Sequence, residues 1–100
     1  MSTPDADEQL RRTVSTLAAR EDCVWAGIYF VEEDNLVLGP EDGTPDPARR
    51  TIVPVLWRGG RVAELAIDGE IEPAELETVA AGIGDLCLVG WDTGGELWQS

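Results

Sequence analysis

Apolar and polar positions alternate most clearly over residues 51–68 (TIVPVLWRGGRVAELAID), where two apolar runs flank an Arg-Gly-Gly-Arg turn. This pattern predicts a β-hairpin. If Gly59-Gly60 alone form the loop, Pro54 falls opposite Leu65 in a hydrogen-bonded position, a poor place for a residue without an N–H. If Arg58-Gly59-Gly60 form a three-residue loop with Gly60 left-handed, Trp57 pairs with Arg61. The missing N–H of Pro54 then faces away from the partner strand, as on a sheet edge. The second register is preferred. It places Thr51, Val53, Val55 and Trp57 on one face with Ala63, Leu65 and Ile67. The other face carries Ile52, Pro54, Leu56, Val62, Glu64, Ala66 and Asp68. Both faces hold enough apolar surface to need cover, and a one-residue slip would exchange the faces of one strand.

Residues 23–31 (CVWAGIYFV) are β-branched, aromatic and almost without polar positions, which predicts a central strand covered on both sides. A turn at Glu32-Glu33-Asp34-Asn35 leads to a second strand at Leu36-Val37-Leu38, ended by Gly39-Pro40. Residues 41–50 (EDGTPDPARR) read as irregular loop. Leu10, Val14, Leu17 and Ala18 recur at helical spacing. Their helix would be capped by Ser2 or Thr3, carry Pro4 in its first turn and end near Glu21. After Asp68-Gly69, Pro73 opens a second helix with Leu76, Val79, Ala80, Ile83, Leu86 and Cys87 as its inner stripe. Gly82 and Gly84 either weaken that helix by ~1 kcal/mol each relative to Ala or admit another backbone. Residues 86–98 read as helix plus tail, with Trp98 docked on an apolar surface. A small hairpin around residues 92–95 is the other reading.

Composition narrows the chemistry. One hundred residues make one domain, and 43% hydrophobic content supports a core, although two fully covered sheet faces would stretch the helices available. The net charge is −13 and all seven basic residues are arginines, so nucleic acid and anionic membranes are not expected partners. With no basic head before an apolar run and no apolar stretch near ~18 residues, the expectation is a soluble, cytoplasmic protein. His is absent, which removes Ser-His-Asp and Cys-His catalysis. Cys23 and Cys87 lack CxxC spacing and read as small buried hydrophobes. The carboxylates show no metal-loop spacing, so neither a metal nor a cofactor is expected.

Three pieces of the chain resemble GAF domains, in family order and over about half its length. VWAGIYF at residues 24–30 resembles the W-V-G-F-Y strand of the family. NLVLGPEDG at residues 35–43 resembles its L-V-L-G-P-F-Q-G segment. The hairpin at residues 51–68 resembles I-V-V-P-L…G-G-R-V-I-G-V-L-D-I-D. The nearest branch looks like the free methionine-(R)-sulfoxide reductases. The resemblance implies an α+β, GAF/PAS-like fold: a four-stranded antiparallel sheet in order 2-1-4-3, with the N- and C-terminal helices on one face. Residues 1–100 would form a single minimal GAF-like domain.

The departures from that branch bear on function. Its long pocket-covering segment between the second strand and the hairpin is replaced here by residues 44–50. The branch's redox cysteines lie in that segment, and Cys23 and Cys87 match none of them. Of the substrate-contacting positions Trp25, Tyr29 and Asp68 are matched, whereas Ala66 stands for the first Asp of D-I-D and Arg50 for a pocket glutamate. Sulfoxide reduction by this route needs a nucleophilic thiolate and a resolving thiol, so no enzyme is expected.

Tyr29 and Asp68 have two readings, as anchors for a small polar or cationic ligand or as a core tyrosine and a turn residue. Trp25 and Trp57 read as packing residues. Glu64 stands between apolar neighbours and is expected to meet water, Arg50 or an arginine of a partner subunit. Without a pocket cover, the face bearing Ile52, Pro54, Leu56 and Val62, with Trp25 and Tyr29, is left open, and such a patch marks an interface. The leading expectation is a non-catalytic, homodimeric GAF-like module with a regulatory or scaffold role. The alternatives are a small-molecule sensor with a reduced pocket near Tyr29 and Asp68, and a degenerate free methionine-(R)-sulfoxide reductase.

Overall fold

The computed structural model describes residues 6–33 and 35–89. The expected caps at Ser2 and Thr3, the turn residue Asp34, and the alternatives for residues 90–98, including Trp98, lie outside that range. Leu10, Val14 and Leu17 form the buried stripe of helix α1 (Ala6–Ala18). Strands β1 (Cys23–Glu32) and β2 (Asn35–Gly43) follow, then a 3-10 turn at Pro47–Arg49 and the hairpin β3 (Arg50–Trp57) and β4 (Gly60–Gly69). Helix α2 (Pro73–Ile83) continues as a 3-10 helix over Gly84–Val89. The helical reading of the C-terminal stretch thus holds through Val89. Among the described residues the sheet has four antiparallel strands in the order β2-β1-β4-β3.

Both helices pack on one face of this sheet. Leu10, Val14 and Leu17 from α1 and Leu76, Ala80 and Ile83 from α2 join Ala26, Ile28, Phe30, Val53, Val55, Ala63, Leu65 and Ile67 in one buried cluster. The strand residues alternate, as a half-covered sheet requires. Cys23 at the start of β1, Ile71 of the β4–α2 connection and Cys87 of the C-terminal segment complete the cluster. Arg20, just past α1, bonds Asp22 and also Glu75 in the first turn of α2, which ties the two helices together at one end.

The hairpin register is the one preferred from sequence, with Arg50 opposite Asp68, Val53 opposite Leu65 and Pro54 opposite Glu64. Pro54 lies on the outer strand. The loop differs from the expectation. Trp57 faces Gly60, and the turn is Arg58-Gly59, with φ of 53° and 86°. Two successive left-handed residues make a type I′ turn, whose twist matches the strands. The residue left over is absorbed lower down as a bulge at Val62. That bulge swings Val62 onto the helix-covered cluster, which corrects its expected place on the open face.

Strand β2 is longer than the sequence implied. Gly39-Pro40 do not end it, because the β1–β2 pairing shifts by one between Gly27 and Tyr29 and the extra residue is taken up there. The strand then runs on to Gly43, so Glu41 belongs to the sheet and not to a loop.

Candidate functional site

The sheet face away from the helices is built in cross-strand rows. One row holds Gly43, Trp25, Asp68 and Arg50; the next holds Glu41, Gly27, Ala66 and Ile52; a third holds Leu38, Tyr29, Glu64 and Pro54. The register therefore brings together the three residues singled out for ligand contact, Trp25, Tyr29 and Asp68, on a single face. It also adds Glu41 and Arg50. Neither was assigned to a site from sequence, because Glu41 read as loop and Arg50 as a departure from a family position or as a partner for Glu64.

Trp25 lies flat on this face. A Cβ on Gly27 would stand 2.5 Å from the indole Cζ2, so the empty side of that glycine is what makes room for the ring. The indole Nε1–H donates to Glu41 Oε1 at 2.9 Å, and the Arg50 guanidinium carbon sits 4.4 Å from the ring centroid on top of it. Trp25 is consequently only 1% exposed. Its expected side of the sheet is right, but the uncovered state is not: Arg50 covers it.

Asp68 is fully buried. Arg50 grips it with a two-pronged pair, Nε to Oδ1 at 2.7 Å and Nη2 to Oδ2 at 2.9 Å, while the Asp46 N–H donates to Oδ2 at 2.6 Å. The hydrogen bond from Arg50 is the largest influence and holds the carboxyl below its ordinary pKa against the opposing effect of burial. Arg50 is raised in turn, mainly by Asp68, with Tyr29 contributing less. Asp68 is therefore not a mere turn residue before Gly69. Both of its oxygens already accept hydrogen bonds from the chain itself.

Glu64 meets Arg61, not Arg50. Around these polar pairs the face stays apolar and open: Ile52 is 50% exposed, Leu56 51%, Leu36 46% and Leu38 38%. Pro54 is exposed as well. A separate groove of about 410 Å³ lies beside β3, lined by Pro54 and Leu56 with Glu77 and Ala81 of α2.

The thiols are placed for packing. Cys23 and Cys87 are buried and unpaired with each other. Burial raises the Cys23 thiol and pushes that of Cys87 up to about 11, the opposite of what an attacking thiolate needs. Among the described residues no group of three or more Cys, Asp or Glu side chains is arranged to hold a metal ion. No helix among them is long and apolar enough to cross a membrane.

The architecture matches solved structures. A type II free methionine-R-sulfoxide reductase from Thermoplasma acidophilum superposes with a TM-score of 0.72 at 17% identity, covering 82% of this chain and 92% of that one. A GAF domain/HD domain protein from Geobacter sulfurreducens superposes with a TM-score of 0.60 at 11% identity, covering 89% and 94%. No family model matches the sequence, and no curated protein sequence matches it. The fold is GAF-like.

Proposed function

We propose that this GAF-like chain is a non-catalytic regulatory or scaffold module that self-associates through the open face of its sheet. The observation that carries this reading is the pair of exposed apolar flanks, Ile52 and Leu56 on β3 and Leu36 and Leu38 on β2, on either side of a centre whose arginines are each paired with a carboxylate of the chain. A second copy is the occupant that fits. Turned by a twofold axis, it lays its β3 flank on the β2 flank of the first, so one surface serves both partners. The chain as a whole carries −13, but on this face Arg50 offsets Asp68 and Arg61 offsets Glu64. Those two pairs lower the repulsion between copies at this face, where, among the described residues, Glu41 alone keeps an exposed charge with the neutral Trp25 indole as its partner.

Sedimentation velocity at micromolar concentration tests the reading. The wild-type chain is expected to sediment as a dimer, and Leu56→Asp or Ile52→Asp as a folded monomer. A wild-type chain that stays monomeric at these concentrations removes the proposal.

A small-molecule sensor is the second reading, supported by half-buried Tyr29 beside the Arg50–Asp68 pair. It predicts that some metabolite stabilises the protein thermally, and that Tyr29→Phe or Asp68→Ala abolishes the shift. The raised thiols argue against a residual reductase. No turnover of free methionine sulfoxide is expected, and turnover lost in Cys23→Ser or Cys87→Ser would reverse that conclusion.

A further inference from the structure

The arrangement around Arg50 has the composition of a binding site with its ligand in place. An aromatic face lies under the guanidinium at 4.4 Å, a fully buried carboxylate meets its edge through two bonds, and the Asp46 amide donates to the same carboxylate at Oδ2. Trp25 is in turn held by Glu41, so each wall of the cradle has its own fastening, Glu41 for the indole and the Asp46 amide for the carboxylate. Stacking with an in-plane two-pronged hydrogen bond suits a planar cation and not a tetrahedral ammonium.

The geometry points to a planar-cation site, formed by Trp25 and Asp68, that takes alkyl-guanidinium compounds and is filled in the native chain by its own Arg50. The tether sets the occupancy. Arg50 is the first residue of β3 and lies directly across the strand pair from Asp68, so the guanidinium is present at a high effective concentration. A dilute external cation does not compete with it. The site opens to solution ligands when the tethered group is taken away. This inference is independent of self-association, since it concerns Trp25 and Asp68 and not the Ile52 and Leu56 flanks.

Chemical rescue tests it. In Arg50→Ala, methylguanidinium at about 20 mM is expected to raise the unfolding midpoint by at least ~4 °C, because a ligand specific to the folded state stabilises it by mass action. Ethylammonium and sodium at equal concentration are expected to do nothing comparable. Arg50→Lys should not restore wild-type stability, and Arg50→Ala with Asp68→Asn should lose the methylguanidinium effect. If Arg50→Ala does not fold unaided, methylguanidinium but not ethylammonium should recover folded protein. In the wild-type chain the Arg50 Nε–H should give a slowly exchanging NMR signal that disappears in Asp68→Asn. Equal rescue by ethylammonium, no rescue, or a fast-exchanging wild-type Nε–H would each overturn the assignment.

Discussion

Asp68 shows how a buried charge is kept in this fold. Its carboxyl titrates below the ordinary value of about 3.9, because the charged form is bonded by Arg50 and by the Asp46 amide. The sign follows: the unfolded chain takes up this proton at higher pH than the folded one. The Asp68 contribution is therefore complete above about pH 5 and is lost as pH falls toward the depressed folded value. Urea unfolding should show Asp68→Asn well below wild type at pH 7, with the gap narrowing as pH falls below about 4. Removing Arg50 alone leaves the carboxylate buried and should cost about 3 kcal/mol at neutral pH. Cys87 makes a second case. With its thiol pushed up to about 11, it should react with a maleimide at pH 8 far more slowly than an unfolded-state control. The sequence identified the face on which Trp25, Tyr29 and Asp68 meet, because period-two alternation fixes faces. It did not reveal that Arg50 closes over them, since a side chain stacking across two strands leaves no trace in local pattern.

The elements teach a similar lesson about bulges. The hairpin body was readable to the residue, because Pro54 and the apolar alternation admit one register. The tip was not. A type I′ turn at Arg58-Gly59 with a bulge at Val62 and a three-residue loop give the same pairing below Val55. Likewise, Gly39-Pro40 resembles a strand terminator and is instead accommodated as an irregularity within β2. The two glycines near the end of α2, equivalent in the sequence, separate in the structure. A Cβ on Gly82 meets nothing within 4 Å, whereas one on Gly84 would stand 2.5 Å from the Leu56 carbonyl oxygen. Gly82→Ala should therefore stabilise by roughly 0.5–1 kcal/mol through helix propensity. Gly84→Ala should destabilise by prying the helix end from β3, despite the same propensity gain. Thermal unfolding of the two variants reads the opposite signs directly.

For the molecule as a whole, the parts were visible in order, one amphipathic helix, a two-stranded unit, a hairpin and a second helix, while their assembly as a 2-1-4-3 sheet came from the resemblance to GAF domains. Both helices serve the same face, so the second face is left to side chains of the sheet itself. Arginine pairs close its centre while its flanks stay apolar, a division that composition alone cannot supply. The acidity of the chain makes a further prediction at this level. If copies join through this largely apolar face while the acidic chains repel, added salt should tighten the dimer, because screening weakens the repulsion more than the apolar contact. Sedimentation at 50 mM and about 500 mM sodium chloride should show the dissociation constant falling with salt.

Pro54, on the outermost strand, has one more consequence. Without it, β3 would present an uninterrupted valine- and isoleucine-rich margin able to recruit identical chains strand by strand into fibrils. A ring nitrogen that cannot donate breaks the template midway. Pro54→Thr should fold normally yet show faster thioflavin-positive polymerisation under agitation, which would make this proline a guard against runaway assembly in a molecule that associates by its face.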